Sequence, residues 1–205
     1  AEEFMLMENG VSKCSIVIGK DAGTVEKNAA SELARYLGKI GGGKAPSVGN
    51  EAVSETYPVK LCITEDKAVA PEGFRIEANK NGTTVSGKNG LGILYGVYEI
   101  LKRYGGIRWL TPGADGEYFT ARKTIGIPEQ NKVCNPSFKI RTIFFEYGNP
   151  KDEETCKWMV RNNMRIETFL WMSRIPHMKK VSAENGGIIR DGLHSFTPLL
   201  NTGDV

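Results

Sequence analysis

Apolar residues at Val25, Ala29, Ala30, Leu33, Ala34, Leu37 and Ile40 recur every three or four positions, the period of one helix face. They predict a helix that opens at Thr24, which offers an N-cap, and stops at Gly41-Gly42-Gly43. A second stripe, Leu94, Val97, Tyr98, Leu101 and Tyr104, predicts a helix from about Asn89 to Tyr104, ended by Gly105-Gly106. Short β-rich runs at residues 14–18 and 59–63 read as strands. Residues 74–78 and 83–86 alternate in polarity around Asn81-Gly82, the signature of a hairpin. Further short strands are expected around 107–110 and 124–127.

The pattern changes near Asn135-Pro136. Lys139 to Phe145 is almost continuously apolar, as expected of a strand buried on both faces. Pro150-Lys-Asp-Glu-Glu then opens a helix to about Asn163, with acids in its first turn where the helix dipole favours them. Arg165 to Trp171 is the next strand. Strand, helix, strand is a βαβ unit with parallel strands. The expected organisation is therefore an α/β domain over residues 1–134 and a second unit over 135–205. Two or three parallel strands cannot cover both faces of their own sheet, so association through the uncovered strands is expected.

Composition narrows the function. The 205 residues are 40% hydrophobic and 25% charged, which is ordinary globular usage. A net charge of +3 with no dense Lys/Arg run gives no footprint for nucleic acid. Apolar runs of four or five residues are far short of the ~20 that a membrane helix needs, so no membrane insertion is expected. Cys14, Cys62, Cys134 and Cys156 are too scattered for a zinc ribbon or a CxxC redox site, and they read as buried thiols or as two disulfides. Only His177 and His194 are present, so a His-rich metal site is out of reach. The start, Ala1-Glu2-Glu3, suits a mature end left by signal-peptide removal, and a secreted or periplasmic location is expected.

Two glycine segments approach known phosphate-binding patterns and depart from them. Gly38-Lys-Ile-Gly-Gly-Gly-Lys44-Ala45 lacks the hydroxyl that would hold magnesium, and it ends a helix where a P-loop must begin one. Gly90-Leu-Gly92-Ile-Leu-Tyr-Gly96 opens a helix, but its third glycine is one residue late for a dinucleotide fingerprint. Close helix-to-sheet packing explains it better. A nucleotide-binding α/β protein survives only if this segment binds phosphate. No HExxH or GxSxG occurs. Ligand groups on βα architectures gather where strands end. Glu146 and Tyr147 follow the first apolar strand of the second unit, and Trp171, Ser173 and Arg174 follow the next. His194 stands in the loop-like Asp191-Gly-Leu-His-Ser-Phe196. Glu146, Trp171, Arg174 and His194 are the candidate substrate-binding residues, although taken alone each is more often structural, as a helix cap, a core residue or a satisfied loop histidine.

Residues 87–113, Gly-Lys-Asn-Gly-Leu-Gly-Ile-Leu-Tyr-Gly-Val-Tyr-Glu-Ile-Leu-Lys-Arg-Tyr-Gly-Gly-Ile-Arg-Trp-Leu-Thr-Pro-Gly, resemble a segment of the small domain that precedes the barrel in certain glycoside hydrolases. These are the family 67 α-glucuronidases, the family 20 β-hexosaminidases and a related uncharacterised group of bacterial carbohydrate-utilisation proteins. Ile18-Gly-Lys-Asp-Ala with Ala30-Ser-Glu-Leu-Ala-Arg-Tyr-Leu is similar to that domain's first strand and helix. Pro136-Ser-Phe-Lys-Ile-Arg looks like the lead into the barrel, and Gly-Leu-His-Ser-Phe resembles a stretch of the uncharacterised group.

The resemblance implies a non-catalytic α/β sandwich domain over 1–134, followed by the first βα units of a (β/α)8 barrel. It implies a carbohydrate substrate bearing a uronic acid or N-acetylhexosamine, and no cofactor. In these families the acid and its partner carboxylate lie on later barrel strands than this chain reaches. No catalytic residue is therefore expected among the 205, and the fragment alone is expected to be inactive. In this setting Arg174 would hold a uronate carboxylate and Trp171 would stack on a sugar face. The alternative is a non-catalytic carbohydrate-binding or scaffold protein.

Overall fold

The computed structural model describes residues 2–143, 153–169 and 176–190. The chain forms two compact units, Ala1–Lys139 and Ile140–Val205.

In the first unit, β1 (Glu3–Glu8) and β2 (Val11–Ser12) make a small antiparallel pair. β3 (Cys14–Ile18) leads to helix α1 (Thr24–Gly41), and β4 (Ser47–Gly49) and β5 (Tyr57–Ile63) follow. β6 (Phe74–Asn79) and β7 (Gly82–Gly87) form the hairpin expected around Asn81-Gly82, with Asn79 facing Gly82 across the turn. Helix α2 (Gly90–Ile100) continues into one π turn over Leu101–Gly105. β8 (Arg108–Trp109) and β9 (Glu117–Tyr118) pair as a short ribbon. β10 (Ile125–Pro128) joins β1, and β11 (Gln130–Cys134) joins β6. The main sheet has the order β11-β6-β7-β5-β3-β4, and β10-β1-β2 form a second, three-stranded sheet.

One face of the six-stranded sheet is apolar. Ile16, Val59, Leu61, Ile76, Ala78 and Val85 on it are at most 2% exposed. Helices α1 and α2 cover that face. The glycines of α2 set how closely it can approach. A Cβ on Gly92 would stand 2.3 Å from the carbonyl oxygen of Gly73, and one on Gly96 would meet Val85 at 2.5 Å and the Phe74 ring at 3.3 Å. On the hairpin side, a Cβ on Gly87 would meet the Ile93 nitrogen at 2.8 Å. Backbone packs on backbone here, which accounts for the glycine spacing without any phosphate.

Several boundaries differ from the sequence reading. The N-cap of α1 is Gly23 rather than Thr24, because the Glu26 carboxylate accepts the Gly23 N–H at 2.7 Å and fixes the first turn one residue earlier. Gly42, with φ 67°, closes α1 by donating to the Gly38 carbonyl, so the triple glycine does end a helix. The regular α-helix of α2 stops at Ile100, four residues short of Tyr104, where the π turn begins. Strands β1, β2, β4, β9 and β11 were not anticipated. β2, β4, β9 and β11 are short or lie at sheet edges, where alternation is weak, whereas β1 is six residues long and central in its sheet, with a Phe-Met-Leu-Met run that holds no β-branched residue.

In the second unit, α3 (Glu153–Arg161), β12 (Glu167–Phe169), α4 (Pro176–Glu184) and β13 (Ile188–Arg190) follow in order. β12 and β13 are parallel neighbours, with Phe169 opposite Arg190. Of the strand expected over Lys139 to Phe145, residues 139–143 do not form a strand and Ile140 is 65% exposed, while Phe144 and Phe145 lie outside the described residues. A ladder-like bond to this segment runs from the Arg165 N–H to the Arg141 carbonyl at 2.6 Å. No described helix is long and apolar enough to cross a membrane.

Cys14, Cys62, Cys134 and Cys156 are all free thiols, and Cys14 and Cys156 are buried. Burial pushes the Cys14 thiol up to about 12, and burial also raises Cys62 and Cys134.

Two outcomes follow from this packing. Gly92→Ala, measured by urea denaturation, lowers stability by ~2 kcal/mol or more, because a backbone oxygen cannot yield as a side chain would. That is a midpoint shift of about 1 M. Gly19→Ala, whose Cβ would meet nothing within 4 Å, leaves the midpoint in place. Under iodoacetamide at pH 8, mass spectrometry finds Cys14 unmodified until urea unfolds the chain. Cys62 and Cys134 react more slowly than free cysteine, since a raised thiol holds less thiolate at that pH.

Candidate functional site

Glu146, Trp171, Arg174 and His194 lie outside the described residues. The described frame of the second unit bounds the segments that carry three of them. β12 ends at Phe169, two residues before Trp171, and β13 ends at Arg190, four before His194. The strands are parallel and in register, so the chain leaves both at the same end. Before β12, Arg165 pairs with Glu167 at 2.7 Å, both side chains being about seven-eighths buried (14% and 13% exposed).

The Gly106-Ile107-Arg108-Trp109 segment, the most specific part of the resemblance, proves to be structural. Gly106, with φ 76°, turns the chain out of the π turn and donates to the Leu101 carbonyl. Ile107 is fully buried. The Arg108 guanidinium donates to the carbonyls of Lys102 (2.7 Å) and Ile107 (2.8 Å), capping the helix end where its dipole is negative. Trp109 is 3% exposed and meets the rings of Tyr36 and Tyr98 edge-on, with centroids 5.2 and 5.3 Å away. Its indole N–H donates to the Tyr36 hydroxyl at 3.0 Å, which in turn donates to Glu117. Lys39 pairs with the other Glu117 oxygen, so this buried carboxylate is fully engaged.

A concave feature of the first unit lies on the sheet face opposite the helices. Directly opposed positions there read Val17, Lys60, Thr84, Glu77 and Asn131 across five strands. Beside this row the loop after β4, with Asn50 and Glu51, and the hairpin turn, with Asn81, enclose a groove of about 580 Å³. Lys60 is exposed within it, on the rigid middle of β5. Among the described residues the Lys60 ammonium has no ion-pair partner, and the Thr84 hydroxyl and the Glu51 carboxylate have no hydrogen-bond partner. Asn50 is fixed by donation from its amide to the Ile18 carbonyl at 3.2 Å. Further along the same face, Asp66 is held below the usual carboxylate range by the Ala68 N–H first and by Arg75 next. Among the described residues no three His, Cys, Asp or Glu side chains come together as a metal would need.

None of these groove residues is a candidate site residue on the sequence alone. The available signal was Lys60 inside Val59-Lys-Leu-Cys-Ile63, where alternation puts one cation on the face away from the core.

No protein-family model matches the chain, and no curated protein matches it. Solved structures do. A family GH115 4-O-methyl-α-glucuronidase with specificity for decorated arabinogalactans superposes with a TM-score of 0.72 at 14% identity, over 92% of this chain and 29% of its own. The β-hexosaminidase of Streptomyces plicatus gives 0.58 at 13% identity, over 83% of this chain and 32% of its own. The family GH20 β-N-acetylhexosaminidase of Streptomyces coelicolor gives 0.54 at 12% identity, over the same two shares. The chain thus spans about three tenths of the length of these structures. The α-glucuronidase belongs to family 115, whereas the sequence resemblance was to family 67. The likeness is one of fold: this chain has a mixed α/β fold that occurs in α-glucuronidases and family 20 hexosaminidases.

Proposed function

We propose that these 205 residues are the front portion of a secreted or periplasmic glycoside hydrolase, comprising a non-catalytic α/β domain and the first βα units of a (β/α)8 barrel. The observation that carries this reading is the fold likeness to an α-glucuronidase over 92% of the chain. The parallel βαβ arrangement of β12, α4 and β13 supports it, being the repeating unit from which such barrels are built. The shares of 29% and 32% of the solved chains leave ample length for further barrel units in a longer protein.

The substrate on this reading is a glycan carrying a uronic acid or an N-acetylhexosamine. Trp171 and Arg174 follow β12 in sequence, and His194 follows β13, the ends at which barrels gather ligand groups. Arg174 would grip a carboxylate with its planar fork, Trp171 would stack on a pyranose face, and Glu146 and His194 would hold hydroxyls. The two carboxyl groups that hydrolysis uses, or one acting with an acetamido group of the substrate, would come from strands beyond this chain.

The test is hydrolysis of aryl glucuronides and aryl N-acetylhexosaminides. The 205-residue chain is expected to turn over neither. The protein extended along its reading frame is expected to hydrolyse one of them, and Arg174→Ala in it lowers kcat/KM on a uronide by about 10- to 100-fold, the loss of one bidentate charge-assisted contact. Unchanged kcat/KM on every uronide removes Arg174 from the pocket. No hydrolysis by the extended protein removes the enzyme reading.

A further inference from the structure

We propose that the groove on the open sheet face binds a hydroxylated carboxylate, a sugar acid, with Lys60 taking the carboxylate. Its volume of about 580 Å³ falls within the ~300–1,000 Å³ of ligand pockets. Lys60 supplies the positive charge from the middle of β5, flanked across the sheet by Val17 and Thr84. A lysine with no ion-pair partner among the described residues presents a point charge with three donors, which suits a carboxylate. The Thr84 hydroxyl, the Asn81 amide and the Glu51 carboxylate line the same groove, and with Lys60 they offer donors and acceptors on several sides. That set satisfies a polyol, whereas an apolar ligand would strand every one of those groups.

Among the described residues no aromatic side chain lines the groove. Stacking on a sugar ring, the usual source of selectivity for neutral sugars, is therefore absent, and discrimination falls to charge. A lone carboxylate–ammonium contact in an open groove gives weak binding, with Kd on the order of 1 mM, and it weakens as salt is added. The preference for a sugar acid among hydroxylated anions rests on the glycan reading above; the groove and its cation do not.

The test titrates the 205-residue chain, followed by the amide shifts of Val17, Lys60 and Thr84, with sodium glucuronate, glucose and glucose 6-phosphate. The expected result is saturable movement of these amides with glucuronate, at least tenfold weaker binding of glucose, and loss of the glucuronate response in Lys60→Met. Met keeps the aliphatic stem on an exposed strand position, so the variant folds as the parent does, and Lys60→Arg restores binding. Silence at these amides, equal binding of glucose, tighter binding of the phosphate, or an unaltered Lys60→Met overturns the proposal. The readout is independent of hydrolysis: an extended protein that cleaves glycans while the groove stays silent refutes this site alone. Glucuronate binding in the groove beside an extended protein without activity refutes only the enzyme reading.

Discussion

The first unit depends on how closely helix α2 lies on the β6–β7 hairpin. The carbonyl of Gly73 sits where a Cβ of residue 92 would be, and the backbone of Ile93 crowds Gly87. No side chain can be interposed, so the glycines fix both the height and the register of the helix. From that placement the rest of the core follows. Tyr98, near the end of α2, donates to Glu32 on α1 at 3.0 Å and packs its ring against Trp109. Trp109 then reaches Tyr36 on α1, so that both helices and the β8–β9 ribbon close over one aromatic cluster. With both helices committed to the apolar face, the polar row through Lys60 and Thr84 is left on the opposite face, where the groove forms.

Much of this was legible in the sequence, for identifiable reasons. The helical stripes from Val25 to Ile40 and from Leu94 onward are long enough for a 3.6-residue period to stand out, and the Asn-Gly turn marks its hairpin because few sequences tolerate that geometry. The packing role of Gly90, Gly92 and Gly96 was readable because their spacing failed every phosphate pattern. The three-residue strand β4 and the edge strand β11 were illegible, since three to five residues carry too little alternation to rise above a loop. The cap of α1 was misplaced by one residue because the partner is Glu26, three positions on, and a glycine carries no signal of its own.

The site was less legible than the fold. Sequence reasoning looked for chemistry-bearing residues after barrel strands and named Glu146, Trp171, Arg174 and His194. It passed over Lys60, whose placement depends on which strands lie on either side of β5, and that is a property of topology alone. The Gly-Ile-Arg-Trp segment shows the converse. Its residues look like those of a binding site, yet each one ends a helix, caps it or fills the core. A motif can identify a fold by its packing duties and carry no function itself.

If this α/β unit precedes a glycosidase barrel, as we propose, the gene continues past Val205. Sequencing it beyond the codon for Val205 is expected to show an open frame through five or six further βα units, with catalytic carboxylates at later strand ends. A stop codon at that point would contradict the proposal, and would leave a binding domain whose parallel strands β12 and β13 need another partner.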